Sequence, residues 1–203
     1  MQTPVLTAII VIFILWLQYE IRKSKRLSKK TSDKFWQLEQ EANLTRRADI
    51  SNLDYITLDL NRLPLSDQED STVNSYRDSI LQLSYKKILK LSGYTNTELK
   101  LKYGVANINL LFEYDNNYTI LVSILQKWAD RLYSLGCLSD AAMVLEYAIS
   151  CGSDVRTSYK LLAKIYKEQN TPNKIEDLIE VLSKVNTSNK DTTIDELNRI
   201  KNS

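Results

Sequence analysis

The side chains best placed to do chemistry are cations. Lys160, Lys164 and Lys167 stand at i, i+4 and i+7, which puts all three on one helical face. Such a row suits an acidic peptide or a C-terminal carboxylate. The plainer reading is a solvated helix face, and the sequence alone favours it. A second cationic set, Arg22, Lys23, Lys25, Arg26, Lys29 and Lys30, places six basic residues and no acid in nine positions. Outside that block the chain is slightly acidic, and the net charge of +2 gives no global bias toward nucleic acid.

Catalytic chemistry is poorly supplied. The chain has no histidine, hence no imidazole base, ligand or pH switch. Its two cysteines, Cys137 and Cys151, do not make a disulfide framework and read as small apolar residues of a reducing compartment. Cys151 precedes Gly152 at a helix end, the negative end, which raises a thiol pKa and argues against a reactive nucleophile. Asp49, Asp54 and Asp59 recur every five residues, which matches neither a helix face nor a metal loop. Glu39 and Glu41 read as ordinary helix surface. No glycine-rich phosphate loop, zinc spacing or nucleophile–base pair is present. The expectation is therefore a non-enzyme with no catalytic residue, cofactor, metal or small-molecule substrate.

The elements that must carry these residues are helical. Four glycines and three prolines are too few for the tight turns of a sheet protein, so an all-α fold is expected. Residues 3–21 carry no charge before Glu20 and hold the apolar run from Ala8 to Leu17, which predicts a single transmembrane helix. Met1-Gln2-Thr3 lacks a basic side chain and no small-x-small site follows, so a cleaved signal peptide is disfavoured. With the basic block just behind it, this helix would place the N-terminus outside and the C-terminal domain in the cytoplasm of a cell-membrane protein.

Residues 22–71 are expected to hold the basic juxtamembrane segment, a helix over 33–48 and a linker. Ile56, Leu58 and Leu60 alternate with polar residues, as a strand would, but no partner strand is evident, so an extended segment laid on the helical domain is expected. That domain should span 72–203. Val73, Tyr76, Ile80, Leu83 and Leu91 recur at helical spacing up to Gly93. Thr95 to Glu98 fits a capping box, and Thr193 to Glu196 fits another at a C-terminal capping helix. Leu121, Leu125, Trp128, Leu132 and Leu135 make the stripe of a long helix.

Between Leu125 and Ser153, small residues at 129, 136, 141 and 148 interleave with large apolar ones at 125, 128, 132, 138 and 145. This closely resembles a tetratricopeptide (TPR) repeat, in which two antiparallel helices approach closely over small side chains. Shifted by 34 residues, Leu125 maps to Tyr159, Trp128 to Leu162, Ala129 to Ala163 and Leu132 to Tyr166. The second copy departs at Pro172, Ile175 and Leu182. The resemblance implies a TPR-like helical-hairpin stack whose first helices line a groove. Its matching positions are Ser123, Gln126, Asp130 and Tyr133 on one helix and Lys160, Lys164 and Lys167 on the next. The asparagines that accompany lysines in carboxylate-binding repeats are missing. The implied function is a membrane-anchored adaptor or scaffold binding a peptide or protein partner, with a structural subunit of a membrane complex as the alternative. The Ile-, Lys- and Asn-rich composition and layout also resemble single-pass proteins of low-GC Gram-positive bacteria.

Overall fold

The computed structural model describes residues 3–185, 187 and 189–202, with the side chains of residues 3–10 and 27 outside the description. The fold is all-α. Its helices are α1 (Thr3–Leu44), α2 (Ser71–Leu83), α3 (Asn96–Tyr103), α4 (Ile108–Ser134), α5 (Leu138–Ser150), α6 (Arg156–Glu168), α7 (Asn173–Lys184) and α8 (Lys190–Asn202). Short 3-10 turns cover Leu60–Arg62 and Val105–Asn107, and no strand occurs among the described residues.

The expected transmembrane helix over 3–21 is not borne out. Among the described residues, no helix is long and apolar enough to cross a membrane. A span needs about 20 apolar residues, and the apolar run whose side chains are described covers Val11–Leu17 before Glu20 and Arg22 follow. Instead α1 continues unbroken through the basic block to Leu44, absorbing the separate helix expected over 33–48. The single-pass cell-membrane placement, with its outside N-terminus and cytoplasmic domain, falls with the span. So does the topological role given to the basic block.

The chain divides into two compact units, one of residues 1–51 and 93–109, the other of residues 52–92 and 110–203. In the first, α1 packs on α3 around the buried Ala42 and Leu99. Glu39, expected on open surface, pairs with Lys100 and accepts a hydrogen bond from Thr97 Oγ1 at 2.8 Å. Thr95 and Glu98 form the expected capping box. The wholly buried Asn107 is fully satisfied: Nδ2 donates to Ala48 O (2.8 Å) and Tyr103 O (2.7 Å), and Oδ1 accepts from Arg47 Nε (3.0 Å).

The second unit holds the main core, in which Trp128, Ala129, Leu132, Ala141, Leu145, Leu162, Ala163, Ile175 and Leu182 are buried together. The small side chains at 129, 141 and 163 are each fully buried in this core, and α5 packs on α6. Leu135, placed on the stripe by its spacing, is 42% exposed because α4 ends at Ser134. Helix α8 packs on α6 and α7.

Two stretches differ from their expected form. Helix α2 stops at Leu83, so Leu91 is buried from an extended strip rather than from a helix. That strip is held by α4: Leu89 N–H donates to Tyr114 O (3.2 Å), Leu91 N–H to Asp115 Oδ1 (2.8 Å) and Asn117 Nδ2 to Lys87 O (2.9 Å). Residues 54–59 run extended beside it, with Ile56 N–H donating to Ile88 O at 2.9 Å. The box expected at Thr193 does not form. Thr193 lies inside α8, its hydroxyl donates to Asn189 O (2.8 Å), and Glu196 is drawn to Arg156 and Lys160.

Candidate functional site

The lysine row does lie on one helix, α6, but its members differ. Lys160 pairs with Glu196 Oε2 at 3.4 Å, sharing that carboxylate with Arg156, while Lys164 and Lys167 are exposed. The facing residues of α4 are engaged within the fold. Gln126 Oε1 accepts from Ser158 Oγ, and its Nε2 donates to Asp130 Oδ1 at 2.9 Å. Tyr133 OH donates to Glu168 Oε1 at 2.6 Å. The structure thus ties Gln126 and Tyr133 across to α6 rather than leaving them as an open polar groove. Glu196 is held below the usual carboxylate range, first by its bond to Arg156.

A better-formed concavity lies where α5, α6 and α7 meet. It has a volume of about 340 Å³. Its floor and walls are apolar: Ile149 from α5, Leu162 and the ring of Tyr166 from α6, and Leu178 and Val181 from α7. Helical spacing explains the geometry. Ile175, Leu178 and Leu182 form the buried stripe of α7, and Val181 stands just off it, 43% exposed at the cleft edge. The rim is polar. Tyr166 OH donates to Glu146 Oε1 (2.7 Å), Lys174 Nζ lies 3.4 Å from the same oxygen, and Lys174 also sits 5.0 Å from the Tyr166 ring centroid. Burial, reinforced by Glu146, pushes the Tyr166 hydroxyl strongly upward, so it remains a donor. Asp177 completes the rim.

A second cavity, about 550 Å³, opens between the extended 54–59 strip, Leu89–Lys90 and the end of α5. Here Asp59 N–H donates to Tyr147 OH (2.8 Å), Arg62 lies 5.3 Å from the Tyr147 ring centroid, and Lys90 Nζ donates to Gly152 O (2.6 Å). Cys151, the C-cap of α5, lines this cavity half-buried. Its thiol is pushed up by burial, which outweighs the lowering by Tyr147, Arg62 and Ser150. Burial, more than the helix end, sets that direction. Of the spaced aspartates, Asp54 lines this cavity, Asp59 caps the 3-10 turn and Asp49 binds Ser51 N–H at 2.9 Å. No cluster of three potential metal ligands occurs among the described residues.

Sequence reasoning missed the α5–α6–α7 cleft. The available signal was Val181, an apolar residue next to a complete buried stripe. Compared with known protein families, curated proteins and solved structures, the chain matches none.

Proposed function

We propose that residues 110–203 act as a TPR-like protein-binding module, and that the α5–α6–α7 cleft is its capture surface. The observation that carries this reading is an apolar concavity with a polar rim, built entirely from residues of three helices. Preformed apolar sites with a few placed polar groups are the usual form of a binding site. The sequence spacing supports the TPR-like reading, and Ala129 and Ala163, 34 residues apart, are both fully buried. The lysine row is the weaker surface, because Lys160 is already paired.

A photo-activated crosslinking side chain placed at Val181 tests the reading, with one at Lys164 as comparison. A discrete protein adduct is expected from position 181 and not from 164. Adducts from neither position, or from 164 alone, would count against the cleft.

A further inference from the structure

The cleft has a counterpart elsewhere on the same chain. Residues 1–51 and 93–109 carry eleven Lys and Arg against six Asp and Glu, a net +5. The rest of the chain carries sixteen against nineteen, a net −3. The asymmetry reaches the local scale. At the cleft, the charge of Glu146 is met by Lys174. Asp177 has no ion-pair partner among the described residues. On α1, just before that helix meets α3, Phe35 and Trp36 form an edge-to-face pair with ring centroids 5.5 Å apart. They are 50% and 59% exposed. Lys34 precedes them, with no carboxylate partner among the described residues.

An exposed aromatic pair beside a cation, and an apolar cleft beside an unmatched carboxylate, are complementary surfaces. We propose that the occupant of the cleft is a second copy of this chain, with its Phe35–Trp36 pair on the apolar floor and its Lys34 against Asp177. This rests on the reading of the cleft as a protein-binding surface. The contact joins different patches of the two copies, so it adds copies head to tail unless the rotation closes a ring.

Sedimentation velocity of the full-length protein over a wide concentration range tests it. The sedimentation coefficient should rise with concentration. Trp36→Ala, Lys34→Asp and Asp177→Lys should each move the association midpoint to at least tenfold higher concentration. The double variant Lys34→Asp with Asp177→Lys should recover most of that loss. Raised salt should weaken the wild type, since exposed charges are screened. A wild type that stays monomeric overturns the proposal. So does association that responds to Trp36→Ala but not to Asp177→Lys, which would place the contact along α1 alone. In either case an adduct from position 181 to a different protein would leave the binding reading standing, and its absence would remove that reading as well.

Discussion

Gly104 sits at φ +81°, and a Cβ there would run into the backbone carbonyl of Arg46. Gly93 has a similar φ of +95° but open space around it. Both pay the conformational penalty of a side chain at positive φ, and only Gly104 adds a clash with backbone. Gly104→Ala should therefore cost clearly more than Gly93→Ala, by about 1–3 kcal/mol. Urea denaturation of both variants checks this, and equal losses would contradict the close approach. Titration makes a second residue-scale prediction. Tyr147 and Tyr159 are buried, and burial pushes each from 10.0 up to about 12. The folded state then holds these protons more tightly than the unfolded chain. Stability is fully present below pH 10 and falls as pH rises toward 12. The urea midpoint should match at pH 8 and 9 and drop by pH 11, and an unchanged midpoint at pH 11 would refute the assignment.

At the scale of elements, close helix approach is the feature to test. Ala141 is fully buried on α5, while Met143, two residues on, is 40% exposed. Ala141→Leu overpacks the crossing and should cost about 1–3 kcal/mol, whereas Met143→Leu should be near neutral. Thermal melts decide it, and equal effects would mean that the small residues are not at a crossing. Helix α8 depends on Glu196, which gathers Arg156 and Lys160 from α6. Its carboxyl is lowered in the fold, so its contribution is present above the ordinary carboxylate value and lost as pH falls. Glu196→Ala should speed amide exchange in α8 more than in α4, and uniform acceleration would deny this local role. These elements also show what sequence can convey. The all-α class, the stripe through Trp128 and Leu132 and the box at Thr95 follow from spacing and local chemistry, because their signals lie within one turn or one face. The α2 end, the extended strip at 87–91 and the true partner of Glu196 are long-range outcomes, decided by groups such as Asp115, Asn117 and Arg156 that no local pattern points to.

On the scale of the whole molecule, two lessons concern what the apolar residues are for. The run near the N-terminus reads as a membrane span from hydropathy. Yet no helix among the described residues is long and apolar enough for one, and α1 runs on through the basic block to Leu44. The polar residues singled out by position, Gln126, Asp130, Tyr133 and Lys160, make bonds within the fold, whereas the cleft is made of residues that pattern reading assigns to packing. The central claim is that the cleft, and not the lysine face, captures protein. The most direct test is to measure how well an adduct-forming partner, another chain or a second copy, is bound by Val181→Glu and by Lys164→Glu. Both side chains are exposed, so neither change disturbs the core. Val181→Glu should weaken binding at least tenfold and Lys164→Glu should leave it within about twofold, since a charge placed on an apolar contact is costly to bury. The reverse order, or equal binding by both, would contradict the account.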